Sequence, residues 1–186
     1  LNGLAKAAKA RWVQTLPPAA RSYPYIIGDA RSLYALDSDN KNIVAIDPQS
    51  GQFRWRAPLH NTEKNLILAH DDRLLALACG YSIFLYDLRQ QGRLLASLDL
   101  PGKTFQIQMS PSALFVSTWN GFIVRINRSP TQPIWSKKLF NEAIHLSLDE
   151  GLLYAMSLDG TLAVLTAESG TLHHRLETQH TAISHL

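Results

Sequence analysis

The feature that most restricts how this chain can fold is a repeat of about 40 residues running through it. Four apolar stretches, Leu33-Tyr-Ala-Leu36, Leu74-Leu-Ala-Leu77, Leu114-Phe-Val-Ser117 and Leu153-Tyr-Ala-Met156, begin 41, 40 and 39 residues apart. A second set trails them: Ile43-Val-Ala-Ile-Asp47, Ile83-Phe-Leu-Tyr-Asp87, Ile123-Val-Arg-Ile-Asn127 and Leu162-Ala-Val-Leu-Thr166. Their closing residues lie 40, 40 and 39 apart. Two anchors keeping one period mark a stack of like units, since a unit this small cannot bury its apolar faces alone.

The units are read as strands. Each run is short, rich in β-branched and aromatic residues, and bounded by turn chemistry. Between the paired runs stand the short turns Cys79-Gly80, Asn120-Gly121 and Asp159-Gly160, of which the Asn-Gly and Asp-Gly pairs predict tight hairpins with positive φ at both turn positions. The first repeat uses a longer polar link, from Asp37 to Asn42. Each hairpin is preceded by a strand (Tyr25-Ile-Ile27, Leu66-Ile-Leu-Ala69, Phe105-Gln-Ile-Gln-Met109, Ile144-His-Leu-Ser-Leu148) and followed by one (Phe53-Arg-Trp-Arg56, Arg93-Leu-Leu-Ala-Ser97, Ile134-Trp-Ser-Lys137, Leu172-His-His-Arg175). We label the strands of a repeat A to D. The middle pair is apolar on both faces, whereas D alternates apolar with charged, as expected of a sheet covered on both sides with D at its outer edge.

The fold class is therefore all-β: a β-propeller with four complete four-stranded antiparallel blades stacked face to face. A sandwich or barrel is the alternative, but a sandwich would show cleaner alternation in B and C. The blades are expected at 24–57, 66–98, 105–138 and 143–176, within a partial propeller over 11–186. Trp12 lies 43 residues before Trp55, so 11–16 reads as strand D of a preceding blade. Residues 182–186 read as strand A of a following one, and 1–10 as a tail or short helix. On this reading the chain is part of a larger, seven- or eight-bladed propeller.

The segment Ala45-Ile-Asp47-Pro-Gln-Ser-Gly51-Gln-Phe-Arg-Trp55 resembles the tryptophan-docking repeat of the pyrroloquinoline quinone (PQQ) propeller family. The resemblance implies a structural docking motif of Ala45, Asp47, Gly51 and Trp55. Trp55 would staple neighbouring blades, Gly51 would sit in the turn, and Asp47 would bond backbone groups there. The other repeats are worn: Thr166-Ala-Glu-Ser-Gly170 ends in His174 where Trp is expected, the second repeat keeps Asp87 and Gly92 with Leu for Trp, and the third has Asn127 and Trp135 but Pro130 and Pro133 in place of the glycine turn. WD-repeat propellers share the period and the Asp-Gly turn and are the runner-up family.

Composition narrows the function classes. The 186 residues are 46% hydrophobic and 18% charged, which is globular. No apolar run approaches the roughly 20 residues of a membrane helix. The net charge of +3 is carried by scattered Lys and Arg, so nucleic acid is not the expected partner. Cys79 is the only cysteine, which rules out an internal disulfide.

Chemistry-bearing residues are few. His173 and His174 are neighbours on a strand and point to opposite faces, so they read as solvated rather than as a shared metal site. His70-Asp71-Asp72 reads as a polar turn between strands A and B. Asn127-Arg-Ser129 is formally a glycosylation triplet, weakened by Pro130. No phosphate loop, serine elbow or zinc spacing is present. No catalytic, cofactor-binding or metal residue is assigned, and no cofactor is expected. The PQQ resemblance implies, as an alternative, a PQQ-dependent quinoprotein dehydrogenase domain with a calcium ion and an Asp base. No ligand set for that site matches here, and the paired cysteines of several such enzymes are absent.

The expected function is that of a non-catalytic relative: a scaffold mediating protein–protein interaction or complex assembly, with another protein as partner. The resemblance leans towards an extracytoplasmic location. In a propeller the D–A links and B–C turns share one rim, and that rim collects Arg21, Tyr23, Lys64, Tyr81 and Trp119. Tyr, Trp and Arg are common interface anchors, so these five are the candidate partner-binding residues.

Overall fold

The protein is described by a computed structural model, in which residues 26–37, 42–59 and 66–177 are described. The expectations placed on 1–16, Arg21, Tyr23, Lys64 and 182–186 lie outside the described residues. Four antiparallel sheets form in chain order. The first blade comprises β1 (Ile26–Gly28), β2 (Leu33–Leu36), β3 (Asn42–Ile46) and β4 (Phe53–Pro58). The second comprises β5 (Leu66–His70), β6 (Leu74–Cys79), β7 (Ser82–Asp87) and β8 (Arg93–Asp99), with a single 3-10 turn at Leu88–Gln90 before its last strand. The third holds β9 (Thr104–Met109), β10 (Ala113–Thr118), β11 (Phe122–Arg128) and β12 (Thr131–Lys138). The fourth holds β13 (Ile144–Asp149), β14 (Leu152–Ser157), β15 (Thr161–Thr166) and β16 (Leu172–Glu177). Each sheet keeps the up-and-down order A-B-C-D, which is the make-up of a propeller blade.

The chain falls into two compact units, Leu1–His60 and Asn61–Leu186. In the first, Ala35, Val44 and Ile46 form a buried cluster on one face of the blade, with Leu33 packed against it. On the other face Tyr34, Ala45 and Trp55 are cross-strand partners in line, and the Tyr34 and Trp55 rings meet at 5.9 Å.

In the second unit three blades stack face to face. Leu74, Ala76, Ala78, Ile83 and Leu85 of the second blade pack against Ile107, Leu114, Val116, Val124 and Ile126 of the third. Ala113, Phe115 and Ile123, on the opposite face of the third, pack against Leu153, Ala155, Ala163 and Leu165 of the fourth. This is why β10, in the middle blade of the three, is buried along its whole length while β14 alternates buried with half-buried residues. A strand covered on both faces has no polar side to alternate with.

Strand register corrects one part of the repeat reading. Leu33 lies opposite Ile46, Leu114 opposite Ile126 and Leu153 opposite Leu165, but the matching residue of the second blade is Leu75, opposite Tyr86. The stretch to superimpose is therefore Leu75-Ala-Leu-Ala78, one residue later than the apolar run suggests. A run apolar on both faces carries no period-2 mark to choose between the two registers, and a one-residue slip exchanges the faces.

The hairpin turns differ too. Gly80, Gly121 and Gly160 have positive φ, whereas Asn120 and Asp159 are not among the residues with positive φ. The third and fourth blades use three-residue loops: Gly121 N–H donates to the Thr118 carbonyl and Gly160 N–H to that of Ser157, and a left-handed glycine closes each loop. Thr118 Oγ1 and Ser157 Oγ then accept from Phe122 N–H at 2.9 Å and Thr161 N–H at 3.2 Å. The extra loop residue is Trp119 in one case and Leu158 in the other.

Candidate partner-binding rim

The rim of the second unit begins with the link between its first two blades. Leu100 N–H donates to the Tyr81 carbonyl at 2.7 Å and Thr104 N–H to that of Gly80 at 3.3 Å. On the other side Trp119 N–H donates to the Lys103 carbonyl at 2.9 Å, and Asn120 Nδ2 to the Pro101 carbonyl at 3.0 Å. Residues 100–103 are thus pinned to two neighbouring B–C hairpin tips. A Cβ at Gly102 would run into the Asn120 side chain, so a larger residue there would displace the amide that holds the link.

The pinned link sets two large rings on the surface. Tyr81 is 52% exposed and Trp119 55% exposed, and Leu158 is 41% exposed at the equivalent tip of the fourth blade. Trp119 meets the Phe105 ring edge-on at 4.9 Å, and Phe105 meets His145 in the same way. The Lys103 ammonium lies over the Tyr81 ring at 5.9 Å. Of the five rim residues read from the sequence, Tyr81 and Trp119 are described and stand on adjacent tips. Leu158 was missed, although its place before Asp159-Gly160, 39 residues after Trp119, is the signal that could have found it.

A cleft of about 530 Å³ continues the rim between the third and fourth blades, lined by Lys138, Phe140, Glu142, Asp159 and Arg175 among others. The Arg175 guanidinium lies over the Phe140 ring at 5.0 Å, and Lys138 over Phe122 at 5.9 Å. The carboxylates are occupied locally: Glu142 accepts from Asp159 N–H at 2.5 Å, and Asp159 accepts from Ser157 Oγ and from Thr161 N–H at 2.9 Å. Those bonds hold the Asp159 carboxyl below its ordinary range.

The opposite rim, of A–B and C–D turns, holds blades together. Arg128 of the third blade reaches Asp71 of the second at 2.5 Å and also donates to the Ser110 carbonyl at 2.9 Å. Burial would lift the Asp71 carboxyl, but Arg128 and the N–H groups of Arg73 and Leu74 outweigh it and hold the group below its usual value. Arg89 and Asp72 pair beside them at 3.4 Å. Trp135 Nε1 donates to the Glu168 carbonyl at 3.0 Å, and its ring lies against Gly170, where a Cβ would come within 3.0 Å of ring atoms and φ is +67°. Within Asn61–Leu186, Trp135 is thus a tryptophan that reaches a neighbouring blade.

Trp55 is half-buried in its own blade beside Tyr34. Ala45 is its cross-strand partner, and Gly51 has φ +74° in a turn closed by its N–H donating to the Asp47 carbonyl. Asp47 Oδ1 accepts from Gln49 N–H at 2.7 Å and Ser50 N–H at 3.0 Å, and Arg54 pairs with Oδ2 at 2.7 Å. Arg54 first, then these N–H groups, lower the Asp47 carboxyl to about 2. In the second blade the position of the tryptophan falls to Ala96, opposite Leu85, because the 3-10 turn adds a residue. Among the described residues no group of three or more His, Cys, Asp or Glu side chains is placed to hold a metal ion. No described helix is long and apolar enough to cross a membrane.

Over residues 82–186, more than half of its length, the sequence matches a PQQ-repeat family described as outer membrane protein assembly factor BamB. The chain belongs to this family. No curated protein matches it in sequence. Among solved structures, BamB from Moraxella catarrhalis is similar with a TM-score of 0.66 at 18% identity, over 92% of this chain and 56% of that one. The computationally designed Ika8 protein is similar with a TM-score of 0.72 at 15% identity, over 84% of this chain and 49% of Ika8. The designed Ika4 protein gives 0.68 at 15% identity, over 83% of this chain and 99% of Ika4. Likeness at these identities establishes the fold. The chain spans about half the length of the BamB and Ika8 chains.

Proposed function

We propose that this BamB-family chain is a non-catalytic propeller scaffold that binds another protein through the rim of B–C tips and D–A links in Asn61–Leu186. Tyr81 and Trp119 are its central contacts. The observation that carries this reading is the exposure of two large rings on adjacent tips held by one pinned link. Rigid aromatic side chains that are already ordered lose little freedom on binding, which is why Tyr and Trp recur at the centres of interfaces. The description of the family as an assembly factor agrees with a role in building a protein complex.

A photo-crosslinking side chain placed at Tyr81 in the source cell is expected to capture one discrete protein, and the same group placed at Arg93 is not. Adding Trp119→Ala to the Tyr81 crosslinker should abolish the product. Equal capture from both positions, or a product indifferent to Trp119→Ala, overturns the rim. The non-catalytic reading has a separate test: titration calorimetry with PQQ and calcium should give no saturable heat, and a saturable heat would overturn it.

A further inference from the structure

The chemistry of the partner can be inferred from how charge is disposed on this rim. The inference rests on the reading of the rim as a protein-binding surface. Three cations stand along it, and each lies over an aromatic ring: Lys103 over Tyr81, Lys138 over Phe122 and Arg175 over Phe140. None makes an ion pair with a carboxylate among the described residues, although Asp159 is near enough to Arg175 for the guanidinium to help hold its carboxyl down. Arg175 donates only a long bond, 3.4 Å, to the Leu139 carbonyl. A ring face holds a cation in place without filling its N–H donors.

The carboxylates on the same side are differently placed. Asp159 and Glu142 accept from the backbone and from hydroxyl groups around the Asp159 turn, and Asp99 accepts from Ser82 Oγ at 3.3 Å. Among the described residues of Asn61–Leu186, Glu177, at the end of β16, is the remaining one. On the opposite rim Arg128 and Arg89 are spent on Asp71 and Asp72. The unfilled donors thus alternate with the exposed apolar tips Tyr81, Trp119 and Leu158 along one rim.

We propose that the rim receives an extended acidic segment of a partner protein, its Asp or Glu side chains meeting Lys103, Lys138 and Arg175 and its apolar side chains meeting Tyr81 and Trp119. Charge of this kind sets specificity and association rate, while the rings supply the buried contact.

Three short synthetic peptides test it, each with a central Leu-Phe pair flanked by Glu, by Gln or by Lys, titrated into the full chain while the Trp119 indole N–H is followed by NMR. The Glu peptide is expected to bind saturably and shift Trp119, the Gln peptide about tenfold more weakly, and the Lys peptide not at all. Raising the salt should weaken the Glu complex selectively. The triple variant Lys103→Gln, Lys138→Gln, Arg175→Gln, checked for an unchanged circular-dichroism spectrum, should bind the Glu peptide about tenfold or more weakly, whereas Arg93→Gln should not differ from wild type. Equal binding of the three peptides, or no saturable binding of the Glu peptide, overturns the acidic partner. If Trp119→Ala weakens binding and the triple variant does not, the acidic segment is wrong and the rim stands. If neither variant weakens binding and the shifts fall around Arg73 and Arg89, both fail. Vesicles of anionic phospholipid that shift Trp119 more strongly than the Glu peptide would also overturn the proposal.

Discussion

The two rims of Asn61–Leu186 are built from the same kinds of short turn, yet they spend their side chains in opposite ways. On the A–B and C–D side, Arg128 is bound by Asp71 and Ser110, and Trp135 by Glu168 and Gly170, each reaching a neighbouring blade or its own blade's turn. On the B–C and D–A side the backbone does the joining, through the pinned link 100–103, and the side chains of Tyr81, Trp119 and Lys103 are left to the surface. Where the backbone already ties blades together, side chains are free for a partner. Where turns alone cannot, side chains serve as clamps.

The largest expected effect is on the clamping rim. Trp135→Ala should lower the unfolding free energy by about 3 kcal/mol, since it leaves a gap against Gly170 and the Phe115 ring. A denaturant midpoint that hardly moves would show that the blades do not depend on this staple.

Arg128→Ala should cost about 2 kcal/mol, short of the 3–5 kcal/mol of a fully buried pair because Asp71 is partly open to water. The same substitution should raise the Asp71 carboxyl towards its ordinary value, readable by side-chain NMR. Lys103→Gln on the other rim should change stability by less than about 0.5 kcal/mol. If the two variants destabilise equally, the contrast between the rims collapses.

Trp119→Ala sharpens the contrast further: stability should fall by no more than about 1 kcal/mol, because more than half of the ring is already in water, while partner capture is lost. A larger loss of stability with capture intact would make Trp119 a packing residue.

The smallest effect concerns Leu1–His60, considered alone. Its C–D turn repeats the clamping chemistry through Asp47 and Arg54, and the Asp47 carboxyl is lowered from 3.8 to about 2. A carboxyl depressed in the folded state stabilises above its unfolded value and loses that stabilisation as pH falls through about 2. An NMR titration should find Asp47 ionised well below pH 3.8, and Arg54→Gln should move it up. An Asp47 that titrates near 3.8 in the wild type would remove the ion pair from the argument.

How much of this was legible in the residues depends on the strand. Strand C could be placed to within one residue at each end, since Ile43, Ile83, Ile123 and Leu162 open runs closed by Asp47, Asp87, Asn127 and Thr166, and those closing residues mark the turn that follows. Strand B of the second blade could not, because Leu74 to Cys79 is apolar at every position and offers no polar face from which to count. The Asn-Gly and Asp-Gly pairs marked the hairpins but not the three-residue loops, which depend on hydroxyls at Thr118 and Ser157 taking over backbone donors. The complete motif around Trp55 drew attention to that repeat, yet Trp135 of the worn third repeat, with Pro130 and Pro133 where the glycine turn is expected, docks on the fourth blade, because docking needs only the ring and a glycine such as Gly170 to receive it.

The sequence by itself determined the strands of the four described blades and their order within each blade, since these follow from local periodicity and turn chemistry. It also placed aromatic residues at hairpin tips. The tertiary structure alone decided which of two apolar registers each run adopts, which cations meet a carboxylate and which meet only a ring, and that Tyr81 and Trp119 flank one pinned link. Those outcomes depend on residues some 40 positions apart being brought together by stacking. No local pattern encodes a distance between blades.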